Sequence, residues 1–172
     1  MKIELINEKD ISTEDVVNLL EKQKSGTEWA EISNNWAKDK LEEFNKINEG
    51  NWVRGFLPEE FFGNILLPMH EHKNENNEGS APFIITENTL TSQLLNVYKN
   101  HVDQKNSECL QNINYLKEKI RENGFVDDII LGIKDEGLYH IDGLHRIISM
   151  TLLLDEGLPY EPIPVCLSRP RL

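Results

Sequence analysis

The stretch Tyr139-His140-Ile141-Asp142-Gly143-Leu144-His145-Arg146-Ile147-Ile148 gathers side chains suited to phosphate chemistry. It reads as a strand that runs into a glycine turn and then into an apolar helix. A helix N-terminus carries backbone N–H groups with no intrahelical acceptor and a partial positive charge, which suits an anion. Gly143 lets the backbone approach that anion closely. Arg146 can direct two parallel N–H bonds at phosphate oxygens. Asp142, at the strand end, is placed to face a metal or a substrate hydroxyl. Plainer roles exist for each residue: Asp142-Gly143 as a turn and cap, His145 as a surface histidine, Arg146 as a structural partner of Asp142 or Glu136. Their combination on one turn favours nucleotide or phosphate binding.

A second polar cluster, His70-Glu71-His72 at the head of a loop running to Ser80, is the most loop-like part of the chain. A long loop within a compact domain often carries function. His70 and His72 stand two apart and do not share a helix face, so zinc is not the expected reading. Cys109 and Cys166 lack CxxC spacing, which gives neither a zinc motif nor a disulfide framework and fits a reduced, cytosolic protein.

The elements that must position these groups are set by periodicity. Ser12 and Thr13 open a short amphipathic helix that ends at Ser25-Gly26. Thr27 begins a longer one, striped by Trp29, Ile32, Trp36, Leu41, Phe44 and Ile47 and closed by Gly50. Its tryptophans fit the core or packing against the domain C-terminal to it. Residues 51–68 are densely apolar but broken by glycines and prolines, giving a short turn or helix at 58–62 and a strand at 64–67. Helices are expected over 89–100 and 107–123, the second with Cys109, Ile113, Leu116 and Ile120 on one stripe. Strands are expected at 129–133 and 138–141, joined by a turn at Asp135-Glu136-Gly137. A helix at 143–155 and a strand at 163–167, with Cys166 in the core, complete the pattern. Asp127 and Asp128 are expected to be solvated.

Bulk properties narrow the partners. The chain has 172 residues and a formal net charge of -12. An acidic chain is repelled by nucleic acid and anionic membranes unless a basic patch is concentrated on one face, and Arg169 with Arg171 is too small a cluster for that. The N-terminus lacks the apolar core of a signal peptide. No apolar run approaches the ~20 residues of a membrane span. A small-molecule substrate in the cytoplasm is the expectation, with neither nucleic acid nor membrane as partner.

From Leu116 onward the order is helix, Asn-Gly, strand, turn, strand, Asp-Gly-x-His-Arg, apolar helix, Ile-Pro-Val. That order resembles the ParB/sulfiredoxin superfamily, with residues 65–71 as its opening strand and loop. Sulfiredoxins carry a reactive cysteine in this turn where the chain has Leu144, so sulfiredoxin activity is not expected. Chromosome-partitioning members bind CTP through a more arginine-rich turn. The Asp142-Gly143-Leu144-His145-Arg146 form is most similar to the free-serine kinase branch, which moves a phosphoryl group from ATP or ADP to the hydroxyl of L-serine. The resemblance implies Glu71 as general base, with His70 or His72 beside it. It implies that Gly143, Leu144, His145, Arg146 and His70 hold the nucleotide phosphates. Asp142 would assist Mg²⁺ or orient the acceptor. Val126-Asp127-Asp128 replaces the proline usual before the following strand, and residues 1–50 have no counterpart.

The expectation is therefore an α/β (α+β) fold with a small mixed sheet flanked by helices. A helical extension (1–50) would precede a nucleotide-binding catalytic domain (51–172). The activity expected is phosphoryl transfer from ATP or ADP, with CTP as the other nucleotide, to serine or a serine-like metabolite. A non-catalytic nucleotide-binding module and a ParB-like nuclease or DNA accessory protein are the alternatives. Whether residues 1–50 cover the pocket or build a homodimer stays open.

Overall fold

The computed structural model describes residues 2–24, 29–70, 85–99, 108–125 and 127–171. In chain order the elements are β1 (Ile6–Ile11), α1 (Thr13–Lys24), α2 (Trp29–Ile47), β2 (Trp52–Leu57), α3 (Glu59–Phe62), β3 (Ile65–Leu67) and β4 (Thr89–Leu90). A 3-10 turn (Thr91–Gln93) comes next, then α4 (Leu94–Lys99), α5 (Glu108–Asn123), β5 (Ile129–Lys134), β6 (Gly137–Asp142), α6 (Leu144–Asp155) and β7 (Ile163–Ser168). The chain is a mixed α/β protein with mostly antiparallel strand pairing. Among the described residues no helix is long and apolar enough to cross a membrane. Glu71 and His72 lie outside the described residues.

Two compact units divide the chain: Met1–Pro58 with Asp127–Gly143 and Pro162–Leu172, and Glu59–Val126 with Leu144–Glu161. The polar segment Ile6–Ile11 pairs with β2 instead of preceding a purely helical extension. β2, within an apolar run to which the sequence pattern assigns no element before residue 58, pairs along its whole length with β7.

In the first unit the strand order is β1-β2-β7-β5-β6, parallel only between β5 and β7. Ser12 caps α1: its hydroxyl accepts from the Asp15 N–H at 3.1 Å and donates to the Asp15 carboxylate at 2.7 Å. The apolar stripes of α1 and α2 then cover the sheet. Val16, Leu20, Ala37, Leu41 and Phe44 pack with Trp52, Ile130, Ile141 and Cys166. Phe44 lies so close to Gly132 that a Cβ there would overlap its ring. The buried Asn48 side chain donates to the Ile133 carbonyl at 3.1 Å and the Ser168 hydroxyl at 3.0 Å, tying the end of α2 to β5 and β7. Asp128, expected in solvent, is buried, and its two oxygens accept from Arg54 Nε and Nη2, each at 2.8 Å.

In the second unit β3 and β4 form a short antiparallel pair. The helix expected over 89–100 starts late, because Thr89-Leu90 pairs with Leu67-Leu66 before the chain turns into α4. α5 and α6 run side by side in the same direction. Going along them, His145 contacts Cys109, the Ser149 hydroxyl donates to the Ile113 carbonyl, and Glu156 pairs with Lys117 and Arg121. Ile113, Ile120, Ile147, Met150, Leu153, Ile65, Leu67 and Leu94 are buried in this unit.

Candidate functional site

Three separate segments of the second unit bring a histidine, a cysteine and a second histidine together. His70 lies after β3 and is held by a reciprocal bridge: its N–H donates to the Ile85 carbonyl at 2.9 Å, and the Ile85 N–H donates back at 3.1 Å. Cys109 is the second residue of α5, and His145 the second residue of α6. Because the two helices are parallel, their amino ends lie at the same end of the pair, where both macrodipoles are positive.

The ligand-type atoms converge. His70 Nε2 is 3.4 Å from Cys109 Sγ, and Cys109 Sγ is 3.4 Å from His145 Nε2. A ligand atom of each residue lies within 4.8 Å of the other two. The two rings meet edge to face with centroids 5.4 Å apart. On the far side of His145, Nδ1 is 3.1 Å from the Asn112 amide nitrogen. His70 and Cys109 are buried and His145 is half-buried. Burial pushes the Cys109 thiol up to about 12, against the helix amino ends, which favour thiolate. As a thiol, Cys109 has one proton to offer two imidazoles.

The residues expected to act on phosphate fall in different places. Asp142 ends β6 in the first unit, buried and opposite Ile130. Gly143 comes next with φ of +101°, in a region open to glycine and strained for other residues. α6 begins at Leu144, so Leu144, His145 and Arg146 occupy its first turn, each half-buried. His70 and His145 come together, with ring centroids 5.4 Å apart. The expected phosphate-holding role of His145 meets a ring whose two nitrogens already face Cys109 and Asn112. Glu71, the expected base, lies outside the described residues.

Sequence reasoning placed Cys109 on a core stripe and missed Asn112. The contacts span 39 and 36 residues, so no spacing motif flags them. The one local signal is that Cys109 and Asn112 stand three apart on α5 and share a face.

Comparison with protein-family models, with curated proteins and with solved structures finds no match for this chain.

Proposed function

We propose that this protein is a nucleotide-dependent phosphotransferase acting on the hydroxyl of serine or a serine-like metabolite, with the amino end of α6 as its phosphate cradle. The observation that carries the reading is the junction itself: β6 stops at Asp142, Gly143 takes φ of +101°, and α6 starts at once with Arg146 in its first turn. The resemblance to the free-serine kinase branch supplies the substrate class.

Phosphoryl transfer asks a protein mainly for position and for charge neutralisation. In this reading the first-turn N–H groups of α6 and the Arg146 guanidinium hold phosphate oxygens. Glu71 takes the hydroxyl proton, and Asp142 orients the acceptor or ligates Mg²⁺, which needs few protein oxygens. ATP or ADP, or else CTP, would supply the phosphoryl group and Mg²⁺ part of the charge neutralisation. His145 acts through its packing on Cys109, as a positioning residue. The two unpaired cysteines go with the cytosolic setting expected from the sequence.

The test is phosphorus NMR of the purified chain with ATP, ADP or CTP, Mg²⁺ and a panel of hydroxy amino acids. A new phosphomonoester is expected with serine. Arg146→Ala should reduce turnover by about 10²–10³-fold, and Glu71→Ala by about 10²–10⁴-fold while sparing nucleotide binding. Nucleotide binding with no turnover on any acceptor would replace this reading with the regulatory module. Absence of nucleotide binding would end both.

A further inference from the structure

We propose that His70, Cys109 and His145 supply three ligands to a thiophilic divalent cation of the zinc class. The proposal stands apart from the phosphotransferase reading, since none of its tests depends on turnover.

The donor set is the first argument. A thiolate and two imidazoles suit zinc, whereas magnesium prefers oxygen. Spacing is the second. With Zn–S near 2.3 Å and Zn–N near 2.0–2.1 Å, a tetrahedral angle separates sulfur and nitrogen by about 3.5 Å. Both S···N distances here are 3.4 Å. Cys109 therefore lies at a tetrahedral edge length from each imidazole, and the same ring atom, Nε2, is presented by both.

The surroundings are the third argument. A metal-ligating histidine usually donates its other N–H to a neighbouring acceptor, which fixes the tautomer. Asn112 stands at His145 Nδ1. A half-turn of its amide offers Oδ1 in place of the nitrogen, and Nδ1–H then donates to it. The Ile85 bridge fixes the backbone of His70 from both sides. The ligands come from three segments locked independently of the cluster, so a cation meets a formed site.

Cobalt(II) is the probe. Metal-stripped protein titrated with Co²⁺ should bind one ion per chain, with visible d–d bands of tetrahedral intensity and a near-ultraviolet thiolate-to-cobalt band. Zn²⁺ should displace it. Cys109→Ser should abolish the charge-transfer band. His70→Gln and His145→Gln should each weaken Zn²⁺ binding by more than the ~10–100-fold expected of Asn112→Ala, a change beyond the ligand shell. Circular dichroism of each variant reports whether it folds. For any that does not, X-ray absorption of the zinc-loaded wild-type chain reads the ligands directly, and one sulfur with two imidazoles is expected. No cobalt–thiolate band in folded wild-type protein would overturn the proposal. So would a band and affinity unmoved by both histidine substitutions, or a zinc shell lacking sulfur.

Discussion

Arg54 with Asp128 in one unit, and His70, Cys109 and His145 in the other, are both polar groupings carried into the interior, and they close in opposite ways. The Arg54 guanidinium meets the Asp128 carboxylate fork to fork, two donors on two acceptors, each at 2.8 Å. Hydrogen bonding to Asp128 raises the Arg54 pKa. The second grouping brings one sulfur and two imidazole nitrogens together. These are donors of the kind that share a cation, and the site proposed on them would take that cation from solution.

The largest effect should come from breaking the matched pair. Arg54→Met leaves Asp128 buried without its guanidinium, and removing one partner of a buried pair costs about 3–5 kcal/mol. The Arg54 side chain is 38% exposed against 4% for Asp128, so solvent screens part of the loss and about 3 kcal/mol is expected. Denaturant unfolding measures it. The cost should be the same with and without zinc. A zinc-dependent cost would mean that the two groupings are not energetically separate.

Next in size is the response to the cation. A ligand that binds only the folded chain stabilises it by about 2.7 kcal/mol at a hundredfold excess over its dissociation constant. Wild-type protein and Arg54→Met should both show this gain in a zinc-buffered thermal melt, and Cys109→Ser should not. In chelator, Cys109→Ser should shift the melt far less than Arg54→Met does. A gain retained by Cys109→Ser would place the zinc elsewhere.

The contrast also separates what could be read from the sequence from what could not. The β5–β6 hairpin was legible because Asp135-Glu136-Gly137 is turn chemistry between apolar runs, and Asp135 and Glu136 do take φ of +47° and +62°. α5, α6 and β7 were legible for the same reason, as local periodicity bounded by Asn-Gly or Gly-Leu-Pro. β1 was not legible. Its residues, Ile-Asn-Glu-Lys-Asp-Ile, are nearly all exposed on an edge strand and leave no alternation to see. β2 carries Arg54 and Gly55 inside an apolar run. Gly55 reads as a break, yet it is there because a Cβ would come within 2.8 Å of the Ile6 carbonyl oxygen across the β1 pairing. Both polar groupings depend on contacts across dozens of residues, which no local pattern encodes. Asp142, Gly143 and Arg146 were legible as a motif because they are contiguous. Cys109 as a partner of His70 and His145 was not.

The smallest effect belongs to a third kind of charge grouping, at the surface. Glu156 pairs with Lys117 and Arg121 across α5 and α6, and hydrogen bonding to Lys117 lowers its pKa from 4.5. A carboxylate whose folded pKa is depressed contributes stability fully present above its unfolded value and lost as pH falls through the folded one. The contribution should therefore hold at neutral pH and fade below about pH 4.5. The Glu156 side chain is 44% exposed, so water and salt screen the pair. Glu156→Gln should cost about 0.2–1 kcal/mol at pH 7 and less in high salt. In acid the variant and wild type should converge. The Arg54–Asp128 pair, with its carboxylate 4% exposed, should lose a smaller share of its contribution to salt. Measuring both variants in low and high salt sets the two ion pairs on one scale. An Arg54 variant whose cost depends on salt more steeply than that of Glu156→Gln would reverse the assignment of which charges hold the fold together and which only decorate it.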